Sequence, residues 1–211
     1  MKLAISILLL TMALGLHSQA SFRGGYKSPQ DLLLSLKEKF NGISGSSCDS
    51  LSDNDRAAMG DQNMQTGEPF ADEPGAAFVT VWSTCLNNYS YNLFYSTDTS
   101  PELLAKRTQI VREIMAPLLA GVVDEQVLKA MTTVMVPASE AEREAYIAHL
   151  MRWVLGTDEE IQAYGRMTDP KQYRQDLMRH VFPPGVSAYA MEGTRQALLI
   201  LLKRDEFLMY Q

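Results

Sequence analysis

Beyond its first twenty residues the chain carries two histidines, His149 and His180, and two cysteines, Cys48 and Cys85. These few groups bound the chemistry available to it. Glu142, Tyr146, His149 and Trp153 recur at i, i+4, i+7 and i+11. On a helix this spacing makes a stripe of titratable and aromatic side chains that could line a ligand groove, with His149 as base or donor. The plainer and favoured reading is a helix packed on two sides, with His149 hydrogen-bonded to a neighbour. His180 falls at the end of a segment whose inner face is Tyr173, Leu177 and Val181. A histidine there is accounted for by the negative end of a helix dipole.

Carboxylates offer a second kind of chemistry. Glycan cleavage needs two of them facing each other across a groove, one with its pKa raised by burial. Glu73 and Glu113 could serve, and with His149 they are the catalytic candidates, but no spacing selects a pair. Trp82, Tyr89, Tyr91 and Tyr95 could stack on sugar rings, although aromatic residues at helical spacing usually belong to a core and its rim. His149 with Met151 and Met178 with His180 pair imidazole with thioether, the donors that suit Cu(I). Residues so close on a helix do not share a face, however. Asp49, Asp53, Asp55 and Asp61 crowd one polar stretch, yet Ala57 stands where a calcium loop needs a ligand. Asn88-Tyr89-Ser90 matches a glycosylation acceptor but falls inside an expected helix. No zinc-protease, nucleophile-elbow, covalent-haem or phosphate-loop motif is present, and no cofactor is expected.

The elements that must position these residues are helical. Ser28-Pro29-Gln30-Asp31 starts the first, carrying Leu32, Leu33, Leu36 and Phe40 up to a stop at Gly42. Residues 42–75 form a long polar loop rich in Ser, Asp, Asn and Gly. Glu73-Pro74 opens a second helix with its apolar stripe from Phe78 to Leu93, although the β-branched and aromatic run 78–82 makes a strand the rival there. Ser100-Pro101-Glu102 starts a third, which Pro117 is expected to kink or stop. Residues 124–136 make a fourth. Ser139 to Glu142 and Thr157 to Glu160 are capping boxes, and Thr168-Asp169-Pro170 begins another helix that Pro183-Pro184-Gly185 ends. The segment 189–203 includes six consecutive apolar residues, Ala197 to Leu202, and should be the central element. Residues 205–211 add a final turn. No hairpin signal and no repeat interrupts the series. The expectation is a mostly α, single helical domain of about seven to nine helices, spanning 21–211.

Location follows from the start of the chain. Lys2, an apolar run from Leu3 to Leu16, and Ser18-Gln19-Ala20 read as a signal peptide over residues 1–20. The run is shorter than the roughly 20 residues that a permanent span requires. Export to a periplasmic or secreted location makes a structural disulfide between Cys48 and Cys85 the expected fate of the two thiols. The mature chain would carry 18 basic and 25 acidic residues, a net charge of −7, which argues against nucleic acid as a partner. With little catalytic signal, the expectation is an exported, non-catalytic module that binds a protein or another macromolecule of the cell envelope. The alternative is a hydrolase of envelope glycan or peptide.

Overall fold

Capping chemistry places the helix starts. The computed structural model describes residues 27–42, 48, 76–95, 100–119, 139–163, 167–184 and 189–210. Helix α1 (Pro29–Lys39) is capped by Ser28, whose hydroxyl accepts the Asp31 amide at 3.2 Å. It ends where Asn41 and Gly42 turn left-handed at φ 52° and 73°. There the Gly42 amide reaches back to the Lys37 carbonyl and the Asn41 amide to that of Glu38, the paired bonds of a Schellman stop. Helices α2 (Ala76–Tyr95) and α3 (Pro101–Leu119) follow. Ser139 caps α4 (Glu140–Leu155) and Asp169 caps α6 (Pro170–Val181). Before α5 (Asp158–Ala163), the Thr157 amide donates to Glu160 and the Glu160 amide to Thr157, a reciprocal box. Helices α7 (Ala190–Leu201) and α8 (Asp205–Leu208) complete the chain.

These eight helices hold 81% of the described residues in a single helical domain with no strand among them. Helix α4 meets the most neighbours, packing on α3, α6, α7 and α8, while α7 packs on α2, α4 and α6, so the centre is shared between them and is not held by 189–203 alone. Ala197, Leu198, Leu201 and Leu202 are buried, as the apolar run foretells. Where α7 meets α6, Gly193 lies so close to Phe182 that a Cβ there would fall 1.8 Å from the ring. From α2, the Trp82 indole donates to the Leu202 carbonyl at 3.1 Å and satisfies one of the open acceptors at the end of α7. Tyr89 and Trp153 meet the Phe40 ring edge-on at 5.2 and 5.1 Å, tying α1 to α2 and α4. Cys48 and Cys85 are joined in a buried disulfide that bridges 37 positions and fastens the polar stretch to α2.

The first and last described segments are clasped together. The Lys27 amide donates to the Leu208 carbonyl at 2.8 Å and its ammonium to that of Phe207 at 2.9 Å. The ammonium also lies 5.0 Å from the centre of the Phe207 ring. Beside them, the Tyr210 hydroxyl donates to Asp31.

The structure decides two of the open alternatives. Residues 78–82 are helical: the apolar stripe Trp82, Cys85, Leu86, Tyr89 and Leu93 recurs at helical spacing and is buried as a unit, which outweighs local β-propensity. Pro117 does not stop its helix, because α3 continues to Leu119. The leader 1–20, most of the 42–75 loop and the expected helix 124–136 lie outside the described residues. Among the described residues no helix is long and apolar enough to cross a membrane.

Candidate functional site

Pro117 also explains where His149 sits. A proline at position i has no N–H for the carbonyl at i−4, so α3 leaves the Glu113 carbonyl without its helical donor. From α4, the His149 ring fills that vacancy: its Nε2 lies 2.8 Å from the Glu113 oxygen. A carbonyl only accepts, so Nε2 carries the proton. Two of the catalytic candidates are thus brought together, but through the backbone of Glu113. The Glu113 carboxylate itself is exposed and accepts from Gln109 at 3.0 Å. Glu73 lies outside the described residues.

The other members of the His149 stripe meet different neighbours. Glu142 is exposed and belongs to the Ser139 cap. Tyr146 is fully buried against Thr194 of α7. Thr194 gives its own proton to the Ala190 carbonyl, so the Tyr146 hydroxyl is the donor between them. Burial pushes the Tyr146 pKa up, beyond reach at ordinary pH. Trp153 packs on Phe40 and carries the Lys39 ammonium 5.5 Å from its ring centre. Along α4 the stripe is therefore a seam contacting α7, α3 and α1 in turn. Met151 and Met178 are buried whereas His180 is exposed, which separates the thioether–imidazole pairs. Among the described residues no cluster of three or more His, Cys, Asp or Glu side chains could hold a metal. In the glycosylation match, Asn88 is exposed, but Ser90 is buried and gives its hydroxyl to the Asn87 carbonyl at 3.0 Å.

A polar cleft of about 350 Å³ opens between α2 and α7, lined by Asn87, Asn88, Tyr91, Tyr95, Glu192 and Arg195. Its floor is a closed network. Arg195 donates from Nε and Nη2 to the two oxygens of Glu192 at 3.0 and 2.7 Å, and from Nη1 to the Asn87 amide oxygen at 3.0 Å. Gln196 and the Tyr95 hydroxyl give Glu192 two further donors, at 2.8 and 3.1 Å. The Arg195 bonds, with Gln196 and Tyr95 behind them, outweigh burial and hold the Glu192 carboxyl down to about 2. Burial, and then the bond to that carboxylate, push Tyr95 up to about 12. Above this floor stands Tyr91, 58% exposed, its ring 5.3 Å from that of Tyr95 and tilted by 37°.

Sequence reasoning reached Tyr91 and Tyr95 as stacking candidates but missed Glu192, Arg195 and the two asparagines. The available signal was Glu192, Arg195 and Gln196 at i, i+3 and i+4 in the first half of a largely apolar helix, α7. Fold and cleft together define, among the described residues, a small all-helical, disulfide-bridged domain with a polar, aromatic-walled recess between α2 and α7. No family model matches this chain, nor does any curated protein or solved structure.

Proposed function

We propose that the chain is an exported, non-catalytic binding module of the cell envelope or its surroundings, and that the α2–α7 cleft is where it takes its ligand. One observation carries this reading: the only charged pair in the cleft lining is closed on itself. Glu192 already accepts four donors and stays ionised across ordinary pH, so it has no proton to give as an acid and no open lone pair to act as a base. The lining contains no serine, threonine, cysteine or histidine to act as a nucleophile or relay. What remains free is suited to holding a molecule: an exposed aromatic face and neutral amides on a rigid helical wall. The disulfide and the signal-like start of the chain support an oxidising, extracytoplasmic setting.

The test is to isolate the tagged protein and its Tyr91→Ala variant in parallel from the envelope and medium of the host. A ligand retained by the native protein and lost by the variant is the expected result. Turnover of glycan or peptide by the pure protein, abolished in His149→Ala or Glu113→Gln, would overturn the non-catalytic reading.

A further inference from the structure

We propose that the cleft is a saccharide subsite in which a neutral pyranose ring lies on Tyr91 and is held by Asn87 and Asn88. This rests on the binding reading above and names its ligand. Charge is the first argument. Glu192 and Arg195 cancel within the floor, so neither an anion nor a cation meets a net opposite charge there, and a cation would have to compete with Arg195 for Glu192. A neutral ligand breaks neither bond.

The second argument is the inventory of open groups. Asn87 gives its oxygen to Arg195 and keeps its Nδ2 hydrogens, while Asn88 and the Tyr91 hydroxyl have no partner among the described residues. Arg195, with three N–H bonds spent on Glu192 and Asn87, keeps two more donors. Such a wall presents neutral donors and acceptors side by side, the complement of adjacent sugar hydroxyls, each of which both donates and accepts. Asn87, Asn88 and Tyr91 lie within about one turn of α2, so amides and ring address one ligand together.

The third argument is the platform. Tyr91 is exposed but not loose, because its ring leans on Tyr95, whose hydroxyl is anchored to Glu192. A fixed aromatic face binds the C–H face of a pyranose with little entropy to lose. An extended peptide would instead seek unpaired backbone groups, and the wall formed by Asn87, Asn88 and Tyr91 lies inside α2, where those groups are used internally. The volume, near the lower end of the range of about 300–1,000 Å³ for small-molecule sites, suits a single ring with its neighbours left in solvent.

The experiment is saturation-transfer NMR and calorimetry on the full mature protein. The probes are neutral trisaccharides built from glucose (α- and β-linked), mannose, galactose and N-acetylglucosamine, beside a capped alanine tripeptide. At least one saccharide is expected to bind with a Kd of about 0.1–10 mM, as befits one shallow subsite. Tyr91→Ala and Asn88→Ala should each weaken it roughly tenfold. Both side chains are exposed, so the melting temperature should hold and report that the fold is intact. Tyr91→Phe should keep most of the affinity through stacking. If no saccharide binds up to about 10 mM, or if binding survives Tyr91→Ala, the saccharide inference is wrong. Tripeptide binding that Tyr91→Ala abolishes, with no saccharide bound, would overturn the sugar while leaving the binding reading in place.

Discussion

The His149–Glu113 contact makes a prediction that separates its two partners. Truncation by His149→Ala removes the only donor that α4 offers to the Glu113 carbonyl, a bond of 2.8 Å. A net hydrogen bond contributes about 0.5–1.5 kcal/mol, and an acceptor left buried and unpaired loses more. Glu113 is exposed and His149 half-buried, so water reaches part of the carbonyl and about 1 kcal/mol is expected. For a domain of this size that lowers the melting temperature by about 2–4 °C. The second arm is Pro117→Ala, which restores the missing N–H and relieves the ring clash with the same carbonyl. Pro117 is exposed and two residues from the end of α3, so the gain should fall below the roughly 3 kcal/mol of a mid-helix proline. In the Pro117→Ala background Glu113 has its helical donor back, and His149→Ala should then cost little. Urea denaturation of the four proteins reads the coupling directly, with about 1 kcal/mol expected. If His149→Ala costs the same in both backgrounds to within about 0.3 kcal/mol, His149 does not serve the carbonyl that Pro117 strands.

Other outcomes follow from the same geometry. Gly193→Ala should destabilise by about 3 kcal/mol or more, against the helix-propensity gain of about 1, because its Cβ would fall 1.8 Å from a fully buried Phe182 ring; a neutral or raised melting temperature would refute the close packing of α6 on α7. The depressed carboxyl of Glu192 contributes stability that is present above about 4.5 and lost as the pH falls towards about 2. Glu192→Gln should therefore show a flatter acid limb in thermal melts between those values, and an unchanged limb would argue against the Arg195 pair. Unfolded, unreduced protein should titrate no free thiol, whereas Cys48→Ala/Cys85→Ala should lose about 4 kcal/mol by the loop-closure argument for 37 residues; two reactive thiols in the unreduced chain would contradict the bridge.

The helices were largely legible because their signals are local. Ser28, Ser139, Thr157 and Asp169 announce the starts of α1, α4, α5 and α6 within four residues, and each makes the capping bond expected of it. The apolar run 197–202 likewise marked the buried end of α7. Apart from the Cys48–Cys85 bridge, contacts between distant segments were not legible. Pro117 reads as a kink or a stop, and nothing near it shows that His149, 32 positions on, satisfies the carbonyl it strands. The cleft escaped notice for the same reason: Asn87 and Arg195 stand 108 positions apart and acquire meaning only once α2 lies beside α7. His149 reads first as a packed histidine bonded to a neighbour, with catalysis the lesser alternative, and in the structure its ring reaches the Glu113 carbonyl.

The clasp between Lys27 and the last turn joins segments that are synthesised far apart in time. The bond from the Lys27 ammonium to the Phe207 carbonyl spans 180 positions of sequence. A ribosome adds about 5–20 residues each second, so the amino-terminal partner of that bond waits roughly 10–40 s for its mate to be made. Until then Lys27 lacks the Phe207 and Leu208 carbonyls to which it donates. In the finished molecule the entry to α1 and the turn at Phe207 and Leu208, made far apart in time, meet at one point.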